Sequence, residues 1–447
     1  MSAPHHDLEQ QFPRTTETAG DGLSDAHDSG SPQFSMRLPV ELVSRVLLFF
    51  VSHVDEQKGP RAQRSFFVTS ICRTWRQIML SSSCHWPMLY LDIHRGRGLA
   101  SAAEYVDTIL ERSRGRRLRV RLTAPFSIDY ERMATLEQLI PRIISYAGEL
   151  EIQQCDMPAA NSDDARAFDN SIIKFLVLPT PLLHSLSIVY EDIASAPFSL
   201  LPFAPHLQSL KLVWYGLHNF CPDVVQNLRA IMLSLADPTP ATIISLSANA
   251  PLLAHMDLRD FITEDENSTL DDLAKVSPFT HLRTLHLTSI ASLSHFPTGV
   301  FPVLTTLELS MFEDDEEVPV EHYRLPSLPL VRTLRLSCDH PVSQSDLWRN
   351  VLFLLLHFPH IERLDLHSPG DTRAFWPRLL APSVPSLRQL QTLVIAGSAF
   401  EGGCGVGEFV KFLETRHHLR RLELRKTSFP SWMESLLLLN VPSVLIE

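Results

Sequence analysis

The chain has little that would commit it to a membrane, to secretion or to a known chemistry. No apolar run approaches the roughly 18 to 20 residues that span a bilayer. The longest are short pieces such as Val351–Leu356 and Leu436–Leu439. The first residues include His5, His6, Asp7 and Glu9 and lack the basic start and apolar core of a signal peptide. Cys72, Cys84, Cys155, Cys221, Cys338 and Cys404 stand far apart with no CxxC pair, which excludes a zinc knuckle and a paired redox motif. That usage fits a reducing compartment, so a cytoplasmic or nuclear location is expected. Positive charge is also in deficit. A formal net charge of -12 argues against a general phosphate-backbone binder, and neither nucleic acid nor a membrane is expected as a partner.

Catalytic signatures are missing as well. There is no GxSxG elbow and no HExxH helix, and Cys84-His85 lies in no recognisable catalytic setting. The Gly402–Gly407 loop is followed by no Lys-Ser or Lys-Thr, so it reads as a turn rather than a phosphate cradle. His357, His360 and Glu362 lack the i, i+4 spacing of a helical zinc site. No cofactor, metal or enzymatic activity is expected. The triplet Asn267-Ser268-Thr269 and the acidic run Glu313–Glu317 read as exposed loops.

Glycine is scarce, 16 residues against 32 prolines, in a chain that is 45% hydrophobic, so most of it should fold between frequent proline stops. Residues 1–35 are the exception: they are polar with almost no large aliphatic side chains and are expected to form a disordered tail. From Met36 the pattern turns helical. Leu38, Leu42, Val46 and Phe49 recur at three- to four-residue spacing behind a tolerated Pro39. After a polar stretch from Ser52 to Ser65, a second helix is expected through Phe67, Ile71, Trp75 and Ile78.

Beyond that, one theme repeats. Ten copies of LxxLxL begin at Leu183, Leu207, Leu228, Leu253, Leu282, Leu304, Val331, Ile361, Leu390 and Leu419, with weaker echoes at Trp86, Gly115 and Ala147. The ten starts are separated by 24, 21, 25, 29, 22, 27, 30, 29 and 29 residues, close to the 20 to 29 of leucine-rich repeats. Proline precedes many copies, as at Pro181, Pro205, Pro251, Pro302, Pro329 and Pro359. Asp346–Phe358 and Glu408–Thr415 read as helices between strands. The expected fold class is α/β: a short helical unit, then an irregular solenoid with a parallel strand ladder and helices or turns on the convex side. Ten rungs at about 4.8 Å give a ladder on the order of 43 Å.

On each strand the leucines face the core and alternate residues face the inner surface. His255, Asp257, Arg259 and Arg335 are therefore candidate binding residues, as are Arg363, Asp365, Arg421 and Arg425. Lys211, His286, Glu308, His367 and Glu423 share that face. Its C-terminal third leans basic, which suits an acidic or phosphorylated segment through bidentate arginine contacts. The Arg112–Arg121 stretch would put Arg117, Arg119 and Arg121 on one strand face. It reads either as an anion site or, preferentially, as a solvated strand neutralised by nearby carboxylates.

The segment from Met36 to Asp92 resembles an F-box. The resemblance is carried by Leu38-Pro39-x-Glu41-Leu42, Val46-Leu47, Val68, Ile71-Cys72-x-x-Trp75-Arg76, Ile78, and Trp86 followed by Leu89 and Leu91. The polar stretch between its helices is longer than in compact family members. The remainder, residues 93–447, resembles the divergent leucine-rich domains that follow F-boxes in many fungal proteins, but without the Asn or Cys that ladders the turn. Irregular curvature and loose convex loops are expected as a result. The resemblance implies docking on a Skp-type adaptor and, through it, a cullin. Leu38, Pro39, Glu41, Leu42, Val46, Leu47, Ile71, Trp75 and Arg76 would make that contact, and the solenoid would bind an unidentified protein substrate. The alternative is a repeat scaffold or sensor outside any ligase.

Overall fold

The structure is a computed structural model that describes residues 38–52, 62–93, 99–125, 128, 130–154, 172–189, 199–213, 217, 220–234, 239–259, 270–311, 323–338, 344–367, 376, 379, 385–397, 406–427, 429 and 431–446. The expected tail at 1–35, the loop at 53–61, the acidic run at 313–317 and most of the 402–407 glycine loop lie outside the described residues. So do the stretches following several strands, where loose convex loops were expected.

The repeat spacing translates into one sheet. Its first strands are β1 (Met88–Asp92), β2 (Leu118–Ala124), β3 (Ala147–Gln154), β4 (Ser185–Val189), β5 (Ser209–Val213), β6 (Ala230–Ser234) and β7 (His255–Arg259). They are followed by β8 (Thr284–Leu287), β9 (Thr306–Met311), β10 (Thr333–Cys338), β11 (Arg363–His367), β12 (Thr392–Ala396), β13 (Arg421–Arg425) and β14 (Ser443–Ile446). The 14 strands are hydrogen-bonded in sequence order. Neighbouring strands are parallel, as in β7 on β8 and β10 on β11. At ~4.8 Å per rung the ladder is about 62 Å long.

Register follows the motif. Leu307 pairs with Leu334, which pairs with Leu364, so the same core position stacks from rung to rung. The first apolar residue of each of the ten copies is at most 2% exposed. It ends a tight turn: the amides of Leu183, Leu207, Leu253 and Leu304, for example, donate to the carbonyls of Thr180, Ala204, Ala250 and Phe301. Pro181, Pro205, Pro251 and Pro302 occupy the second position of those turns, where a fixed φ near -65° is favoured. The prolines thus shape the entry into each strand as well as ending the preceding segment.

Two frames differ from the sequence reading. The echo at Gly115 fails because Arg114 (φ 54°) and Gly115 (φ 73°) form a left-handed turn, and the in-register frame starts at Arg117, with Val120 and Leu122 opposite Leu89 and Leu91. An additional rung, β14, uses Val441, Val444 and Ile446, with Val444 opposite Leu422 and Ile446 opposite Leu424.

Helices cover the other face of the sheet. Those between strands include Leu99–Ser113, Tyr130–Tyr146, Pro240–Asn249, Gln344–His357, Val406–Thr415 and Ser431–Asn440. The core lies between the two layers as one continuous cluster from Trp86 to Val441. Among the described residues only the pairing of β2 with β3 slips, between Leu118 and Arg119. Gly148 sits at that slip. A Cβ there would meet the Arg117 Cβ at 2.9 Å and the His184 ring at 3.3 Å. Gly148→Ala is therefore expected to destabilise the protein by about 1–3 kcal/mol, read as a lower urea midpoint.

The N-terminal helices are α1 (Val40–Ser52), α2 (Ala62–Ile71) and α3 (Arg73–Ser81). The carbonyl of Pro39 accepts the amides of Leu42 and Val43 and so starts α1. The single helix expected through Phe67 and Ile78 is broken in two. Cys72 takes an extended conformation (φ -153°, ψ 164°) and caps α3, its Sγ accepting the Trp75 amide at 3.4 Å. Leu47, Val51, Val68, Ile78 and Met79 close a small separate core, with Val43 and Trp75 packed against it.

Candidate functional sites

The helical cap has two apolar faces. On α1, Val43, Leu47 and Val51 follow i, i+4, i+8 and turn inward. One residue earlier, about 100° round the helix, Leu42 (45% exposed), Val46 (56%) and, further on, Phe49 (62%) face outward. Leu38, Val40, Phe67 and Ile71 are exposed as well, at 48–60%. An exposed apolar surface of this kind is characteristic of a docking surface.

Of the residues expected to touch an adaptor, Leu38, Pro39, Glu41, Leu42, Val46 and Ile71 are exposed. Leu47 is a correction: it is 1% exposed and belongs to the inner core, because its position falls on the opposite stripe of α1. Trp75 is half-buried against the same core, and Arg76 donates its Nε to the Thr69 carbonyl at 2.8 Å, tying α3 to α2. Val40, Phe49 and Phe67 lie outside the expected set. For Phe49 and Phe67 the signal was the run of large side chains at Phe49-Phe50 and Phe66-Phe67, which cannot all fit a five-residue core.

Cap and solenoid meet at Trp86. Its indole Nε1 donates to the Met79 carbonyl at 2.9 Å, its ring meets Phe66 edge-on at 5.3 Å, and the Arg112 guanidinium lies 4.4 Å from its centre. Burial pulls the Arg112 pKa below its ordinary value, against the opposing charge of Glu111. Ser44 Oγ adds a 3.2 Å bond to His85 Nε2. The segment that closes the cap thus leads directly into the first rung, β1.

The inner face is polar, and its arginines are paired, across rungs at Arg335 and along a single strand at Arg363, Arg421 and Arg425. Arg335 holds Asp365 at 3.2 Å and Glu308 at 3.5 Å, and Arg363 holds Asp365 at 2.8 Å. Arg421 and Arg425 hold the two oxygens of Glu423 at 2.7 and 2.5 Å. Asp365 and Glu423 are buried beneath these guanidinium groups, with side chains 4% and 2% exposed. The basic lean read from the sequence is therefore largely neutralised in place. The same holds for β2, where Arg119 pairs with Glu149 at 3.2 Å and Arg121 with Glu151 at 3.4 Å. The neutralised-strand reading of that stretch is the one the geometry matches. Arg112, at the start of that stretch, lies in the last turn of the helix Leu99–Ser113.

Further along, His255, Asp257 and Arg259 lie on β7 beside His286 on β8. They border an open concavity of about 440 Å³ with Lys211, Met232 and Glu308. Burial alone would raise the Asp257 carboxyl. The hydrogen bond and charge of His286, with Arg259 at 3.3 Å, outweigh it and hold the group below its ordinary 3.8.

Among the described residues no three or more His, Cys, Asp or Glu side chains converge as a metal site. His357 Nδ1 faces the Phe353 carbonyl at 3.1 Å. Among the described residues no helix is long and apolar enough to cross a membrane.

No family model matches the chain, and no curated protein matches it. Among solved structures it is similar to a Bacteroides fragilis protein determined as a structural-genomics target, with 14% identity and a TM-score of 0.32 over 78% of this chain and 82% of that one. It is also similar to TLR13 in its complex with ssRNA13, with 16% identity and a TM-score of 0.32 over 74% of this chain and 52% of that one. Both likenesses are distant, and the solenoid is established by its own 14-strand register.

Proposed function

We propose that this protein is a substrate receptor of a cullin-RING ubiquitin ligase: the helical cap binds a Skp-type adaptor and the inner face of the solenoid binds a protein substrate. The observation that carries this reading is the double-faced α1. Its inner stripe completes the cap's own core, while Leu42, Val46 and Phe49 are left on the outer face of the same helix. The order of Leu38-Pro39-x-Glu41-Leu42, Cys72-x-x-Trp75-Arg76 and the Trp86 rung supports the F-box resemblance. In such a receptor the protein contributes position: it raises the local concentration of substrate near the ubiquitin-charged enzyme and takes no part in bond making. Cytoplasmic and nuclear sites are the compartments consistent with this role.

The test is co-purification. Full-length protein should capture the Skp-type adaptor and a cullin, and Leu38→Ala with Pro39→Ala should abolish the capture while the melting temperature stays within about 3 °C. A second reading, a repeat scaffold outside any ligase, draws on the paired arginines of the inner face, which leave fewer free charges for a ligand. It predicts a folded protein that never recruits a cullin.

A further inference from the structure

Three side chains on successive rungs of the inner face form a hydrogen-bonded row. Asp257 Oδ1 accepts from His286 Nδ1 at 2.9 Å, and His286 Nε2 lies 2.8 Å from Ser310 Oγ. The ladder builds this row directly: Asp257 is opposite His286, His286 is opposite Glu308, and Ser310 lies two residues beyond on β9. Asp257 and His286 line the 440 Å³ concavity, and Ser310 lies next to that lining through its contact with His286. An ionised carboxylate on Nδ1 keeps the proton there and leaves Nε2 free to accept the serine hydroxyl proton.

We propose that Ser310 is a nucleophile, activated by His286 and positioned through Asp257, that accepts the acyl group of small carboxylic esters. Ser310 Oγ attacks the carbonyl carbon as its proton passes to His286 Nε2. Ser337 Oγ, 2.9 Å from Ser310 Oγ, is the hydroxyl placed to donate to the developing oxyanion. The C–O bond to the alcohol then breaks, and the alcohol leaves with the proton from His286. Water attacks the acyl-serine with the same histidine as base, releasing the carboxylic acid and restoring Ser310. Asp257 stabilises the imidazolium in both halves. Ser310 is only 7% exposed, which restricts entry to short acyl groups. Backbone amides of the surrounding strands are engaged in the ladder, and each absent oxyanion donor costs about 10²–10³ in rate, so turnover is slow. The activity stands apart from adaptor binding and does not depend on it.

The test uses the full chain with a fluorophosphonate probe, locating the modified peptide by mass spectrometry, and follows p-nitrophenyl acetate hydrolysis in parallel. Ser310 should be labelled in the wild type, and Ser310→Ala should lose that label. His286→Gln should slow labelling about 100-fold or more. Asp257→Asn should lower kcat while KM stays within about twofold, a split that a collapsed site would not give. Circular dichroism identifies variants that fail to fold, and if His286→Gln is one of them, Asp257→Asn labelling decides in its place. A wild type with no label on Ser310 overturns the proposal. So does Ser310 labelling at an unchanged rate in the folded histidine or aspartate variant.

Discussion

Trp86→Ala should lower stability by about 3–5 kcal/mol and detach the cap from the solenoid. Trp86 is 1% exposed, and three separate contacts converge on it from the α2–α3 side and from Arg112. Its removal leaves the Met79 carbonyl without its indole donor, strips Phe66 of an edge contact and takes the aromatic face from beside the Arg112 guanidinium. Chemical denaturation should then resolve two transitions where the wild type shows one, because the five-residue cap core no longer shares a boundary with the large core. A Trp86→Phe variant keeps the edge contact and loses the donor, and should recover about half of the lost stability.

The second large effect is expected at the other end of the ladder. Glu423 has a side chain only 2% exposed and meets Arg421 and Arg425 on its two oxygens. Replacing both arginines with alanine leaves a buried carboxylate without a counter-charge and should cost about 3–5 kcal/mol. Either single replacement leaves one pair in place and should cost about 1 kcal/mol. Adding Glu423→Gln to the double variant removes the uncompensated charge and should restore much of the loss. A thermal melt of the wild type, the two single arginine variants and the double arginine variant gives the coupling directly, and additive losses would show that the carboxylate is better hydrated than its burial implies.

The parts of the fold that were legible share one cause. An apolar residue that must face the core in every rung, most often leucine, recurs at 21 to 30 residues, and no loop between copies can hide that period. The prolines were visible for the same reason, since each fixes the turn that delivers the next leucine. The missed rung at Val441 kept the spacing, with valine and isoleucine in place of leucine. The Gly115 frame failed because a left-handed turn at Arg114-Gly115 takes up two residues that a strand would otherwise use. The break between α2 and α3 was invisible to hydrophobic periodicity, because a cysteine cap interrupts the backbone without changing which side chains are apolar.

Charge pairing on the inner face was harder to read, although the repeat contains it. Glu308, Arg335 and Asp365 are far apart in sequence yet stand side by side once the leucines are aligned. Aligning the copies as rungs would have set carboxylate beside guanidinium. The row from Asp257 through His286 to Ser310 needed more, because Ser310 belongs to the next column of the sheet and its hydroxyl direction is set by the pleat. On α1 the sequence pattern merged two stripes only one residue apart, which is why Leu47 was placed outside when the structure turns it in.

The most direct measurement is a calorimetric titration of purified full-length protein with purified Skp-type adaptor, alongside Val46→Asp. Val46 is 56% exposed and is no part of the cap's inner core, so the substitution should leave the fold intact. A receptor seated on its adaptor should show saturable binding at one-to-one stoichiometry, weakened about 100-fold or more by the aspartate, which must be desolvated at the interface. Absence of heat with the wild type, or equal affinity for the folded variant, would contradict the receptor reading.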